Sequence, residues 1–154
     1  MRQFYTVTEK LHDLLIADDN VNTVSIGDIS EVDLAKKSIF PLSHIVVGDT
    51  SLNGSTMTMN FTIVCMDIVD VNKVDSRNES EPFYGTTDLQ DIWNTQLQVC
   101  NRLVEQLRRG DAFDNFYQLT GSINATSFKD RFENLLAGWA IDIAIEVPNT
   151  EICV

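Results

Sequence analysis

Residues with chemically versatile side chains are few in this 154-residue chain, and they are scattered along it. The two histidines, His12 and His44, lack the second histidine or carboxylate at the spacing that a metal site requires. Asp67 and Asp70 could pair as a general acid and base after folding, but nothing in their surroundings selects them. No GxSxG, HExxH or phosphate-binding glycine motif occurs. We therefore interpret both histidines as structural and predict a protein that is not an enzyme, with no catalytic residue, no metal ligand and no cofactor.

The three cysteines, Cys65, Cys100 and Cys153, fall on three separate predicted elements without a CxxC spacing. This pattern favours neither a zinc site nor a disulfide framework. We predict that Cys65 and Cys100 are small apolar residues of the core. The first residues lack the apolar segment of a signal peptide, and no stretch reaches the length of a membrane span. We therefore expect a protein made in a reducing cytoplasm, without membrane contact.

The charge balance argues against tight binding to nucleic acid. The formal net charge is -12, and the Lys and Arg residues are dispersed except at Lys36-Lys37 and Arg108-Arg109. A protein that grips DNA needs a basic stripe to displace counterions from the phosphates. An acidic surface could still face DNA that must slide past without sticking. Arg108 and Arg109 are candidate contacts with phosphate or with an acidic partner, although capping of a helix end and solvation are the favoured explanation for this pair.

The apolar periodicity predicts an α+β domain that occupies residues 1–154 as a single unit. The predicted order is α-β-β-β-α-β-β, with helices at 2–17 and 88–109 and strands near 21–26, 43–47, 57–69, 122–128 and 139–147. We expect a mixed or antiparallel sheet of about four to five strands, with both helices packed on one face. Asn53-Gly54 predicts a tight hairpin turn before the longest strand. The apolar face predicted for the second helix is Leu89, Ile92, Trp93, Leu97, Cys100, Leu103, Val104 and Leu107.

Two segments have the composition of a contact surface. The long strand becomes apolar on both faces toward its end, so the second face requires cover from a helix or from another subunit. Residues 70–87 form a predicted long polar loop whose two aromatic residues could anchor on a neighbour or tuck onto their own domain. The candidate residues of a subunit interface are Val64, Met66, Ile68, Phe83 and Tyr84.

Two stretches at corresponding places in this order of elements carry a family resemblance. They are the end of the second helix, LVEQLRRGD at 103–111, and DRFENLLAGW at 130–139, which leads into a strand and Val147-Pro148-Asn149. With the order of elements, they resemble the tail terminator and tail completion proteins of tailed bacteriophages. The resemblance implies a homo-oligomeric ring, a hexamer, that caps the tail tube, stops its polymerisation and leaves a channel for DNA.

The same resemblance implies the partners and the location. They are further copies of the chain, the tail tube protein, and a neck, head-completion or portal-proximal protein, with DNA passing through unbound. The expected place is the tail or neck of the virion, after assembly in the host cytoplasm. A head-completion or adaptor subunit that contacts the portal is an alternative of the same class. A cytoplasmic small-molecule enzyme or binding module is the alternative from another class, and it would require a concave pocket with converging polar groups.

Overall fold

The fold is a mixed β-sheet that carries two helices on one face. The computed structural model describes residues 3–28, 39–69, 87–108, 118–131 and 135–148. The elements in this part of the chain are α1 (Gln3–Ile16), β1 (Thr23–Ile26), β2 (Leu42–Leu52), β3 (Thr56–Ile68), α2 (Thr87–Arg108), β4 (Gln118–Thr120), β5 (Ala125–Arg131) and β6 (Leu135–Pro148). The predicted α+β class with both helices on one face is confirmed.

The sheet has six strands in the order β1-β2-β3-β6-β4, with β5 also paired to β6. β1 and β2 are parallel, and every other pair is antiparallel. The predicted count of four to five strands was too low by the short strand β4. Its three residues are too few to show alternation in the sequence, and its pairing with β6, from Gln118–Glu146 to Thr120–Ala144, defines it instead.

The β2–β3 hairpin and the β3–β6 pair form the centre of the sheet. The turn at Asn53-Gly54 lies where the sequence predicts it: Gly54 has a φ of 77°, and the Asn53 amide donates to the Thr56 carbonyl at 3.0 Å. β3 then pairs with β6 without interruption, from Thr56–Pro148 to Ile68–Leu136. Gly138 is required in this pair, because a Cβ there would lie 1.9 Å from the Cys65 carbonyl oxygen.

Strict alternation along β3 and β6 buries one face of the sheet beneath the helices. The core side chains on this face are Met57, Met59, Phe61, Ile63 and Cys65 of β3 and Ile141, Ile143, Ile145 and Val147 of β6. α1 covers them with Val7, Leu11 and Leu15, each at most 1% exposed. Burial of a large apolar side chain contributes about 1.5–3 kcal/mol, so this layer provides most of the driving force for folding.

α2 packs with a slightly different stripe from the predicted one. Leu97 was expected in the apolar face but is 40% exposed, whereas Gln96 and Val99 are each 1% exposed. Successive helix residues are rotated by about 100°, and the stripe through Leu89, Gln96 and Leu103 leaves Leu97 at its border. The buried row of α2 therefore contains a polar amide in its middle, which apolar spacing alone does not reveal.

A bidentate ion pair ties the two helices together. Arg102 of α2 donates from Nε and one terminal nitrogen to the carboxylate of Asp18, at 2.7 and 2.9 Å. Asp18 follows the end of α1 and also accepts the Asn20 amide at 3.0 Å. Its side chain is 9% exposed and that of Arg102 is 47% exposed. The pair thus fixes the chain reversal after α1 against the middle of α2.

A second apolar cluster covers one end of the other face and corrects part of the predicted interface. Met66 is 2% exposed and packs with Phe40, Leu42 and Leu136 inside the same chain. Leu42 is its register partner on β2, and Leu136 lies on β6 two residues from its register partner there, Gly138. Met66 is therefore a core residue rather than an available contact residue. Val64 and Ile68 are half-buried against the same cluster.

Replacement of Gln96 by leucine is expected to stabilise the protein by about 1–2 kcal/mol, because neither polar atom of the buried amide has a hydrogen-bond partner. Urea unfolding at equilibrium measures the change. Gln98→Leu, at an exposed position of the same helix, is the matched control and should stay within about 0.5 kcal/mol of the parent. A destabilised Gln96→Leu protein would show that the amide is satisfied in solution.

Candidate functional site

The sheet face opposite the helices is polar at the end away from the Met66 cluster. In β3 up to Thr62 and in β6 from Asp142 onward, the residues that alternate with the core point to this side and are half-buried or exposed. They are Thr58, Asn60 and Thr62 of β3 and Asp142, Ala144 and Glu146 of β6. We call these six residues the open face.

Hydrogen bonds hold three polar side chains of the open face, those of Asn60, Thr62 and Asp142, in place. The Thr62 hydroxyl donates to Asp142 Oδ1 at 2.5 Å across the β3–β6 pair. The Asn60 amide donates to the Asp49 carbonyl at 2.8 Å, where the β2–β3 register shifts between Val47 and Thr50. A shallow depression of about 330 Å³ lies over Asn60, Thr62 and Asp142. Its polar lining also includes Thr120 and Ser122, and its apolar lining consists of Gly48, Phe61, Ile143 and Ala144.

The open face is acidic. It carries the carboxylates of Asp142 and Glu146, and no Lys or Arg side chain that the structure describes lies on it. Lys10 belongs to α1, and Arg102 and Arg108 belong to α2. β5 aligns Lys129 with Ala137, a core position on the helix side of the sheet. A surface of this sign repels phosphate groups at close range.

His44 makes a structural clamp between β1 and β2. The Ser25 hydroxyl lies 2.6 Å from Nδ1, and Nε2 lies 2.8 Å from the Gly27 carbonyl oxygen. Because a carbonyl only accepts, Nε2 carries the proton and Nδ1 accepts from Ser25. A serine within reach of a histidine is the pairing of nucleophilic catalysis. His44 is 0% exposed, however, and both of its nitrogens are occupied, so this pair joins strands rather than activating a nucleophile.

His12 is exposed on α1, where Nδ1 lies 3.1 Å from Asp13 Oδ1. It has no contact with His44, since α1 presents it to solvent.

Cys65 and Cys100 meet in the core between β3 and α2. Both are free and buried, and the Ser43 hydroxyl donates to Cys65 Sγ at 3.6 Å. A hydrogen bond with the Cys65 thiol, together with burial, raises the pKa of the Cys100 thiol. Both side chains belong to the buried apolar cluster between the sheet and the helices, so the expected core role of both residues is confirmed. Cys153 lies outside the described residues.

Other chemistry is sparse in the part of the chain that the structure describes. No group of three or more His, Cys, Asp or Glu side chains in that part could hold a metal ion. Asp67 accepts the neighbouring Ile68 amide at 2.8 Å, and Asp70, considered as its partner, lies outside the described residues. Neither described helix is long and apolar enough to span a membrane.

The remaining predicted site residues are spread over the molecule. Arg108 is exposed at the end of α2 and lines a groove on the helix side, together with Glu105, so it lies on the opposite side of the sheet from the open face. Arg109, Phe83 and Tyr84, and the loop 70–86, lie outside the described residues.

Sequence reasoning did not select the open face as a site. Its signal was present in β6, where Ala140, Asp142, Ala144 and Glu146 alternate with the apolar core positions. Alternation of this kind indicates only that a face is solvated, and the pairing of β6 with β3 is needed to assemble the carboxylates and hydroxyls on one surface.

Comparisons with known proteins give no assignment. No protein-family model matches the chain. No match is found among curated proteins either.

Replacement of His44 by leucine is expected to destabilise the protein by about 1–3 kcal/mol, because the Ser25 hydroxyl and the Gly27 carbonyl lose their partner. Thermal unfolding followed by circular dichroism measures the loss. His12→Leu, at an exposed position, is the control and should have little effect. In the double variant His44→Leu/Ser25→Ala, part of the stability should return, and unchanged stability of His44→Leu would contradict the clamp.

Proposed function

We propose that this chain is the subunit of a ring that terminates the tail tube of a tailed bacteriophage. The observation that carries the proposal is the two-sided sheet, with helices on one face and an acidic, hydroxyl-rich open face on the other. In the ring, the open face lines the central channel. The resemblance of the helix end at 103–111 and the stretch at 130–139 to tail terminator proteins supports the same role.

An acidic lining suits a channel through which DNA must move freely. Asp142 and Glu146 repel the phosphates, and the described side chains of the open face offer no cation that would hold them. The small side chain of Ala144 between the two carboxylates keeps the surface shallow. Thr58, Asn60 and Thr62 present groups that water hydrates well. DNA in contact with such a surface loses few counterions and therefore binds weakly.

The role is structural rather than catalytic. The residues best suited to catalysis are committed to other contacts: His44 clamps two strands, and Cys100 is enclosed with Cys65 in the core. The partners in this proposal are further copies of the chain, the tail tube protein below the ring and a neck protein above it. The protein acts in the virion, after assembly in the host cytoplasm.

The first test of this proposal is the mass of the purified protein by light scattering over a range of concentrations, with negative-stain electron microscopy of any assembly. We expect closed rings whose central opening admits a DNA duplex. The same protein, added to polymerising tail tube protein, should limit tube length. A monomer at every concentration that also leaves tube growth unchanged would overturn the proposal.

The channel assignment has its own test in the double variant Asp142→Lys/Glu146→Lys. Both side chains lie on the solvated face, so the fold should be retained. Rings of this variant should bind duplex DNA in a salt-dependent manner that the parent rings lack, because every subunit adds cations to the channel. A filter-binding assay at several salt concentrations measures the difference.

The matched control is Asp13→Lys/Asp91→Lys, which adds the same charge at exposed positions on the helices. We expect it to bind DNA much more weakly than the open-face variant. Equal DNA binding by the two double variants would show that net charge, and not the position of the open face, determines adhesion.

A further inference from the structure

The exposed apolar side chains of the described residues are concentrated on one flank of the molecule. Seven large apolar residues are strongly exposed, and five of them lie at the start of α1, the end of β1 or the second half of β2. These five are Phe4 (38%), Tyr5 (61%), Ile26 (49%), Val47 (42%) and Leu52 (73%). We call them the apolar flank.

Four of the five residues of the apolar flank are linked through two core residues, Phe61 and Ile45. Phe4 packs on Phe61 with ring centroids 6.3 Å apart, and Tyr5 meets Phe4 edge-on at 6.5 Å. Val47 is the register partner of Phe61, and Ile26 is the partner of Ile45 on the same side of the sheet. Contiguous exposed apolar surface in a soluble domain marks an interaction site.

The opposite flank contains an apolar groove. It has a volume of about 240 Å³ and lies between α2 and the strands β5 and β6. Its apolar lining includes Leu97, Val104, Ile123 and Ala125, of which Leu97 is 40% exposed. This is the residue that leaves the buried stripe of α2, so its apolar side chain is available on the groove side.

The sheet also ends in an open edge on each flank. β1 pairs only with Leu42–Ile45 of β2, and no described strand lies along the outer edge of β2, the edge away from β3, from Val46 to Leu52. On the other flank, β5 pairs with β6 alone among the described strands. Unpaired strand edges are templates for pairing with another chain.

Charge distinguishes the two flanks. The open half of β2 carries one charged residue, Asp49, which is exposed. On the opposite flank, Lys129 is exposed on β5 and Arg108 is exposed beside the groove, whose lining also includes the half-buried Glu105, so positive charge is in excess among these three residues. Basic residues are outnumbered by acidic ones in this chain of net charge -12, so two cations on one flank set it apart from the rest of the surface. An acidic edge facing a basic edge favours one relative orientation of two subunits.

We infer that the apolar flank of one subunit docks into the groove flank of a second copy, with the open half of β2 beside the outer edge of β5. The contact is head-to-tail, because the two surfaces differ in shape and in charge. Repetition of a head-to-tail contact gives a ring if the rotation closes and a filament if it does not. This inference deepens the proposed function and rests on it for the closure into a ring.

The test uses two variants that each block one flank. Tyr5→Lys/Leu52→Lys blocks the apolar flank, and Leu97→Lys/Ala125→Lys blocks the groove flank; all four positions are exposed, so folding should be retained. Each variant alone should associate at least about 30-fold more weakly than the parent. Mixed together, they should form a 1:1 dimer and nothing larger, because only one intact pair of flanks remains.

Sedimentation velocity with one fluorescently labelled variant measures this dimer, and unfolding curves confirm that both variants are folded. Ile16→Lys, at a 41% exposed apolar position outside both flanks, is the control and should assemble like the parent. A monomeric parent, or two weakened variants that do not combine on mixing, would overturn the inference. Rings built through another contact would overturn the inference but leave the proposed function standing, whereas head-to-tail filaments without closure would do the reverse.

Discussion

The antiparallel pairing of β3 with β6 is the constraint on which the rest of the molecule depends. Its register runs unbroken from Thr56–Pro148 to Ile68–Leu136, so the alternation of the two strands is in phase over their whole length. One set of side chains meets the helices as a continuous apolar layer. The other set forms the open face along one half of the pair and part of the cluster around Met66 along the other half. A shift of one residue would exchange the two sets and bury the Asp142 carboxylate beneath α2. The division of the sheet into a side covered by the helices and a solvated side therefore follows from the register of this one pair.

The two helices cover different parts of the same side of the sheet. α1 lies toward the β1–β2 end and α2 spans the strands from β3 to β5, while the Asp18–Arg102 pair fixes one against the other. This arrangement leaves exposed apolar side chains on one flank and a groove on the other. The start of α1 extends Phe4 and Tyr5 over a part of the sheet that β1 does not reach. α2 leaves a groove at the other end, where Ile123 and Ala125 border it.

Sequence periodicity predicted most of the fold because the elements are long and regular. Both helices, the Asn53-Gly54 hairpin and the alternating strands β3 and β6 follow from it. What it missed depends on pairing between distant segments. β4 is defined by β6 rather than by its own three residues, and Met66 was assigned to an interface because its cover comes from Phe40, Leu42 and Leu136. Gln96 and Leu97 exchange their expected environments because a polar residue in a helical stripe gives no apolar signal. The candidate site was missed because it depends on pairing between distant strands: the open face becomes one surface only when β3 and β6 lie side by side.

The acidic side chains of the open face contribute little to the stability of the fold. Asp142 accepts one hydrogen bond from Thr62, and it and Glu146 sit on a solvated surface where alanine, serine or lysine would also be compatible with the strand. The residues that the fold does require, such as Gly138 and His44, are fixed by close contacts instead. Because the fold does not require a particular residue at positions 142 and 146, the negative charge there can serve a function. In the proposed ring, a face that combines carboxylates with small side chains and hydroxyls would adjoin DNA without holding it, and the proposed contact between the two dissimilar flanks would arrange many such faces around one axis.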